Sequence, residues 1–302
     1  MERLRANWKS HFTFPSGRHN GRDWKRKRKL MSQAEQSTNE GMGVRRFGRM
    51  NWLGLYTLSW REVMRFTTVW TQTLLAPLVT AGLFILIFSL AIGGQRGDVM
   101  GVSFLHFIAP GILMMTVIQN SFANTSSSIV ISRVQGNIVD TLMPPLSPIE
   151  LVIGYVTGGV MRGLCVAVAV AVILFPILGL GIAHPVWALV FVLLGAAFLG
   201  ALGVVAGILA QKFDQIAAIT NFLVIPLSFL SGTFYSIEAV PGFMNTISHW
   251  NPVFYLIDGA RYGVLGVSDS SPWKGLAVAS FATAAVITLA WRWFKTGYRL
   301  KS

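Results

Sequence analysis

Long stretches without charged residues alternate with short charged segments along this chain. Because about 20 apolar residues span a bilayer as a helix, each stretch is long enough to cross a membrane. The longest, residues 163–211, suits two helices, and His184 and Pro185 mark the turn between them. Asp, Glu, Lys and Arg are absent from residues 66–95, 99–132, 163–211, 215–237 and 275–291. The pattern predicts six membrane-spanning helices, near residues 69–92, 104–130, 150–180, 185–210, 216–235 and 275–294.

Two further segments have a mixed apolar and polar pattern. In residues 51–66, apolar positions recur at helical spacing, and Arg61, Glu62 and Arg65 lie on another side. This favours an amphipathic helix on the membrane surface, with a simple extension of the first span as the alternative. Residues 236–273 are too apolar for an ordinary loop, and they predict two short re-entrant helices on the outer side. We expect a break between these helices at Asn251, because the residue before a proline disfavours the helical conformation.

The composition agrees with a membrane protein. Hydrophobic residues make up 53% of the 302 residues and charged residues 12%, about half the charge of an average soluble domain. The net charge of +13 would suit nucleic-acid binding, but residues 1–65 hold 15 of the 25 basic and 5 of the 12 acidic residues. Positive charge collected at one end of a membrane protein indicates instead that this end faces the cytoplasm. We therefore predict an all-α integral membrane protein and no nucleic-acid partner.

The distribution of basic residues predicts both termini in the cytoplasm. With six spans, 21 basic residues fall on the side of the N-terminus and 3 on the other, and Arg162 lies within a span. This asymmetry follows the positive-inside rule, and six crossings return the chain to the side on which it began. Residues 1–49 are read as a basic, disordered cytoplasmic tail preceding a permease domain over residues 50–302. Contact with anionic lipid and a translation start further along the chain are alternatives for this tail.

The sequence carries no recognisable catalytic or cofactor-binding constellation. It lacks the G-x-x-x-x-G-K-[ST] motif that cradles nucleotide phosphates, so we expect no cofactor, and any ATP would be bound by a partner. Its five histidines are dispersed and it has a single cysteine, Cys165, so no metal site is predicted. We therefore expect a protein that is not an enzyme.

A few polar residues in the spans are candidates for a transport pathway. Asn120, Asn124 and Ser128 share one face of the second span, where they could bind neighbouring helices together or line a pathway. Arg162 is the clear charge within a span. It could snorkel toward the cytoplasmic surface, or it could contact the headgroup of an anionic lipid or substrate. Small residues at four-residue spacing, as at Gly154 and Gly158, permit close packing of helices.

Four segments together resemble the permease subunits of type-two ABC exporters. They are residues 51–56 (NWLGLY), 136–151 (GNIVDTLMPPLSPIEL), 230–236 (LSGTFYS) and 251–261 (NPVFYLIDGAR). The resemblance covers about residues 50–302. It implies that two permease copies pair in the bacterial inner membrane and that each binds a cytoplasmic ABC ATPase subunit.

The resemblance also implies roles for particular segments. Residues 133–148 are similar to the coupling helix that binds the ATPase, residues 51–66 to an interface helix, and residues 236–273 to outer re-entrant helices. We expect the ATPase to contact Gln135, Gly136, Asp140, Thr141, Leu146 and Ser147. The exported substrate would be an amphipathic molecule: drug-like, a lipid or a lipid-linked glycan. A secondary transporter or channel without an ATPase partner is the alternative.

Overall fold

The computed structural model describes residues 50–92, 97–137, 145–237 and 242–299. Within these ranges the chain is helical and forms no strand, with one isolated β-bridge between Val99 and Val102. Residues 1–49, which carry the predicted tail, lie outside the described ranges, as do Asp140 and Thr141 of the predicted ATPase contact.

Nine helices are described in these ranges. α1 covers Trp52–Thr67, and α2 begins as a π-helical turn over Thr71–Leu75 and continues over Ala76–Ile92. α6 covers Phe213–Phe229 and contains a second π-helical turn over Thr220–Val224. The other six are α3 (Phe104–Val134), α4 (Pro148–Leu178), α5 (Pro185–Leu209), α7 (Gly242–Trp250), α8 (Pro252–Leu265) and α9 (Pro272–Thr296).

Five of these helices are long and apolar enough to cross a membrane: α2, α3, α4, α5 and α9. The predicted fifth span corresponds to α6, which is apolar but shorter than these five. The helical, multi-pass character of the prediction is therefore confirmed, and the count of six spans stays a prediction.

Local sequence signals explain where several helices begin and end. Asn251 caps α8, because its side chain accepts a hydrogen bond from the Val253 N–H at 3.0 Å. α7 ends at Trp250 and α8 begins at Pro252, so the chain breaks between the helices where the sequence predicted it. Gly179 and Gly266 end α4 and α8 in the left-handed conformation that glycine adopts without strain, with φ values of 69° and 76°.

α3 lies at the centre of the bundle and α2 at its edge. In the most apolar 18 residues of α3, 78% of the residues are buried, compared with 17% in the corresponding part of α2. Glycines allow α3 to approach its neighbours closely. A Cβ atom added to Gly203 of α5 would lie 2.5 Å from the Phe122 carbonyl oxygen, and one added to Gly163 of α4 would lie 2.3 Å from Ser121 Oγ. The close packing predicted from the glycine spacing is confirmed.

α1 packs lengthwise along the first turns of α4. A Cβ atom added to Gly154 would lie 2.4 Å from Leu58 Cδ2, and one added to Gly158 would lie 2.4 Å from Glu62 Cβ. Since each contact advances four residues along both helices, the two run in parallel here. Thr68 and Val69 form a turn between α1 and α2, so α1 is a separate helix rather than an extension of α2.

The prediction that Glu62 lies on another side of α1 from the apolar positions was wrong. Glu62 is fully buried together with Leu55, Leu58 and Phe66, whereas Arg61 is exposed and Arg65 is half-buried. Glu62 can face inward because hydrogen-bond donors surround its carboxylate. The outer face carries Tyr56 stacked on Trp60 with ring centroids 6.2 Å apart, which suits a membrane interface.

Candidate functional site

Polar side chains collect at two ends of the bundle. The α1 end comprises α1, the last turns of α3 and α5 and the first half of α4. The α8 end comprises α8, the first turn of α3 and the chain that follows α6. The α1 end contains both ends of the loop over residues 138–144, and the loop itself lies outside the described residues.

Arg133 fixes the start of this loop to two neighbouring parts of the chain. Its Nη1 donates to the Ile208 carbonyl at 3.1 Å and to the Ala210 carbonyl, both at the end of α5. Its Nη2 donates to the carbonyl of Arg299, after α9, at 2.9 Å. One guanidinium therefore joins the end of α3 to the ends of α5 and α9.

Glu150 fixes the far end of the loop to α1. This buried carboxylate accepts the Asn51 N–H at 2.6 Å and the Ser147 N–H at 2.6 Å. The second bond belongs to a capping box, in which the Ser147 hydroxyl also accepts from the Glu150 N–H. The side-chain amide of Asn51 donates to the Pro145 carbonyl at 3.4 Å. The loop end, the start of α1 and the start of α4 thus share one hydrogen-bonded junction.

The predicted ATPase-contact residues that are described lie on both sides of the loop. Gln135 and Gly136 are exposed in the turn after α3, where Gly136 has a φ of 74°. Leu146 packs near Gly54 of α1, since a Cβ atom on that glycine would lie 2.7 Å from Leu146 Cδ2. Ser147 is occupied in capping α4. Binding of an ATPase at these residues stays a prediction.

A second group of polar residues lies deeper at this end, between α1, α3 and α4. Its buried carboxylate, Glu62, accepts hydrogen bonds from Ser128 Oγ at 2.8 Å, Arg61 Nη2 at 3.1 Å and Arg65 Nε at 3.3 Å. We call this group the polar cluster, and it consists of Glu62, Arg65, Asn120, Asn124, Ser128 and Arg162.

Asn124 and Arg65 continue the cluster on α3. The Arg65 Nη2 donates to the Asn124 carbonyl at 2.6 Å and to the Asn124 side-chain oxygen at 3.0 Å, while its Nη1 donates to Ser127 Oγ at 3.2 Å. One turn earlier on α3, Asn120 accepts from Arg162 Nη2 at 3.1 Å through its side-chain oxygen. The candidate pathway residues Asn120, Asn124, Ser128 and Arg162 are therefore brought together. Asn124 and Ser128 are buried, and Asn120 and Arg162 are half-buried.

The α8 end is organised around Arg261, which is fully buried. Its Nη2 donates to the Gly232 carbonyl at 2.6 Å and its Nε to the Phe107 carbonyl at 3.4 Å. The guanidinium carbon lies 3.9 Å from the centre of the Phe107 ring, a distance that allows a cation–π interaction. Arg261 also forms ion pairs with Asp258 at 3.5 Å and Asp269 at 3.6 Å. This single side chain joins α8, α3 and the segment that follows α6.

Asp258 is held by the chain on both sides of it. Its two carboxylate oxygens accept the Asp269 N–H at 2.8 Å and the Ser270 N–H at 2.9 Å. Burial disfavours the ionised form and raises the pKa of Asp258 to about 6, although Arg261 and the two N–H donors oppose this shift. The Ser236 hydroxyl donates to the Asp269 carboxylate, which completes the network.

Three of these central residues were missed as site residues from the sequence. Glu150 was detectable, because Ser147-Pro148-Ile149-Glu150 has the spacing of a capping box. Glu62 follows Leu55 and Leu58 at helical spacing. An acid that continues an apolar helix face could have indicated a buried carboxylate. Arg261 had been counted as an ordinary basic residue of an outer loop, and its burial depends on tertiary contacts that the sequence does not display.

Comparison with known proteins shows a family and several relatives. Residues 54–265 match the family model described as ABC-2 type transporter. The chain is 35% identical to the inner membrane transport permease YadH of Escherichia coli K12 over 251 residues, which cover 83% of this chain and 98% of that protein. It is 27% identical to the daunorubicin resistance ABC transporter permease protein DrrB1 of Streptomyces coeruleorubidus, over 70% of this chain and 75% of that protein. Nodulation protein J of Neorhizobium galegae is 23% identical, over 72% and 83% of the two chains.

Proposed function

Since this multi-pass membrane protein belongs to the ABC-2 type transporter family, we propose that it is the permease subunit of an ATP-driven exporter in the bacterial inner membrane. A separate cytoplasmic ABC ATPase would bind and hydrolyse ATP, and this chain would form the path through the membrane. The proposed topology has six spans with both termini in the cytoplasm, α6 as the fifth span and α7 and α8 as re-entrant helices.

The observation that carries this proposal is the attachment of the loop over residues 138–144 at both ends. Arg133 ties its start to α5 and to the chain after α9, and Glu150 ties its end to α1 and α4. A force applied at either end of the loop would act on α5 through Arg133 and on α1 and α4 through Glu150. The attachment suits a segment that transmits the closure of an ATPase into the bundle.

The proposed movement opens a cleft between two permease copies. ATP binding would close the two ATPase subunits against the loops, which would tilt α3 and α4 together with the attached α1. The second copy would pack against the peripheral helices α2 and α6, which expose large apolar side chains such as Leu83, Leu86 and Phe222. Each of these helices contains a π-helical turn, a feature often found at functional sites.

An amphipathic molecule is the proposed substrate: drug-like, a lipid or a lipid-linked glycan. The DrrB1 relative is named for resistance to daunorubicin, which makes this compound a sensible first probe.

The proposal is tested by ATP-driven uptake of a fluorescent amphiphile such as daunorubicin into inside-out vesicles that contain this chain and its ATPase. We expect Asp140→Arg combined with Pro145→Ala to abolish uptake while protein levels in the membrane stay normal. Lys274→Gln, at the start of α9, is the control and should leave uptake intact. Full uptake by the double variant would show that the loop does not bind the ATPase.

A further inference from the structure

The polar cluster contains more positive charge than its own acid can balance. Arg162 lies near the middle of α4, and no acidic side chain of the described ranges is within 4.0 Å of its guanidinium. The acid of the cluster, Glu62, already forms ion pairs with Arg61 at 3.1 Å and Arg65 at 3.3 Å. A charge without a counter-ion is costly at membrane depth, so such a residue points to a ligand.

The buried polar atoms of α3 and α4 that lack a hydrogen-bond partner are mainly donors. Among the described residues of these two helices, they are Gln119 Nε2, Ser121 Oγ, Asn124 Nδ2 and Arg162 Nε. The orientation of the Asn124 amide follows from Arg65, which donates to its oxygen and leaves the nitrogen as the free donor. Buried N–H groups without an acceptor cost free energy, and what they lack here is an oxygen-rich acceptor.

The two guanidinium groups bind residues one turn apart on α3. Arg65 binds Asn124 and Arg162 binds Asn120, and these two amides are one turn apart on α3, about 6 Å at 1.5 Å per residue. A phosphate group offers several acceptor oxygens and the charge that both groups favour, and arginine suits its geometry. Arg65, Asn120 and Arg162 are each partly exposed, so a ligand can reach them.

Exposed apolar side chains lie close to Arg65 and Arg162 along the chain. Met64 and Trp70 at the junction of α1 and α2 are 39% and 62% exposed, and Met161, beside Arg162 in the chain, is 38% exposed. A free anion would gain nothing from these side chains. An anionic headgroup that carries a hydrocarbon tail would place its charge on the arginines and its tail along this surface.

We propose that the polar cluster binds the phosphate headgroup of an anionic amphiphile, with Arg162 and Arg65 as its charged partners. Transport of this amphiphile rests on the proposed permease function, whereas its binding needs no ATPase. The two proposals can therefore fail separately.

The test is lipid binding to the purified full chain in detergent, measured by native mass spectrometry. Dioleoyl phosphatidylglycerol and dioleoyl phosphatidylcholine have the same tails, and the first has a net negative phosphate headgroup. We expect about tenfold tighter binding of phosphatidylglycerol, which corresponds to about 1.4 kcal/mol. Arg162→Gln should reduce this ratio to near one, and Arg162→Lys should retain part of it because the charge remains.

Two further variants separate binding from folding. Asn120→Asp places a carboxylate where Arg162 already bonds, so it should keep the fold while removing the preference for phosphatidylglycerol. Arg292→Gln removes an exposed charge from α9 and should leave the preference unchanged. A preference that survives both Arg162→Gln and Asn120→Asp would overturn the proposed site.

The source of the phosphate is tested by competition. Inorganic phosphate at 100-fold excess over the lipid should not displace phosphatidylglycerol if the hydrocarbon tail contributes to binding. Displacement that requires Arg162 would overturn the amphiphile assignment in favour of a free-anion site. ATPase co-purification with Arg162→Gln should match the wild type, so a loss of lipid preference is not confused with a failure of the permease assignment.

Discussion

Arg261 and Arg162 are both arginines inside a helical membrane protein, yet their surroundings differ. Arg261 is fully buried and is met by two carboxylates, two carbonyl oxygens and the Phe107 ring. Arg162 is half-buried, and its one hydrogen bond in the described ranges is to Asn120. The protein provides the first charge with two carboxylates from its own residues, and within the described ranges it provides the second with none.

This difference separates a structural charge from one available for binding. A buried ion whose partners come from three parts of the chain fixes how those parts sit together, and breaking such a group is strongly destabilising. An arginine without a carboxylate partner can pair with an anionic ligand instead. The α8 end is therefore expected to respond to mutation with loss of stability, and the polar cluster with loss of binding.

The largest predicted effect is on stability at the α8 end. Arg261→Met leaves the carboxylates of Asp258 and Asp269 buried without their cation, which we expect to cost about 3–5 kcal/mol. Thermal unfolding of the purified chain in detergent measures this as a large drop in Tm or a loss of monodisperse protein. Arg162→Gln is the matched variant, with an expected change below about 1 kcal/mol. Equal losses of stability would erase the distinction between the two arginines.

The second largest effect is expected at Glu150, a buried acid at the α1 end whose two carboxylate oxygens both accept backbone hydrogen bonds. Glu150→Ala leaves the Asn51 and Ser147 N–H groups without their acceptor, at about 1–3 kcal/mol each. Faster backbone hydrogen exchange at these two amides measures the effect, and Glu150→Gln, which keeps one acceptor oxygen, should exchange at an intermediate rate. Unchanged protection in Glu150→Ala would mean that Glu150 does not hold the loop to α1.

Close packing of α1 against α4 supports the polar cluster. In Gly158→Ala the new Cβ would lie 2.4 Å from Glu62 Cβ, and overpacking of this kind costs about 1–3 kcal/mol. We expect a lower Tm together with weaker preference for phosphatidylglycerol, since Glu62 and Arg65 would move away from α3. Gly82→Ala on α2 is the control, because no atom lies within 4 Å of its added Cβ. The same Tm and the same preference for phosphatidylglycerol in Gly158→Ala and Gly82→Ala would argue against a tight α1–α4 contact.

The smallest predicted effect is a pH dependence at the α8 end. The pKa of Asp258 is raised to about 6 in the folded chain, from 3.8, so the folded state binds this proton more tightly than the unfolded state. The stabilising contribution is present below about pH 4 and is lost as pH rises through about 6. The Tm of the wild type relative to that of Asp258→Asn should therefore rise between pH 7 and pH 5. A constant difference between the two Tm values would contradict the raised pKa.

The helical membrane fold was predictable because hydrocarbon demands long uncharged stretches. The sequence pattern located the spans that became α2, α3, α4, α5 and α9, and Asn251 with Pro252 marked the break before α8. The length of α6 was less certain, because an uncharged stretch of residues shows how long a span can be and not where its helix ends.

The sites depended on contacts between distant residues, which periodicity cannot reveal. Asn120 and Arg162 were recognised as polar residues in spans, but their hydrogen bond joins α3 to α4. Glu62 was placed on another side of α1 from the apolar positions, whereas donors from α1 and α3 satisfy its carboxylate inside the bundle. Burial of an acid follows from its partners rather than from its own polarity.

Purification of the tagged chain from its native membrane in mild detergent shows whether this permease works with a separate ATPase bound at the loop between α3 and α4. We predict that a subunit carrying a P-loop co-purifies near one to one, and that Asp140→Arg removes it while Lys274→Gln retains it. A homo-oligomer without any ATPase, even after crosslinking in the membrane, would contradict the account and favour a secondary carrier or channel.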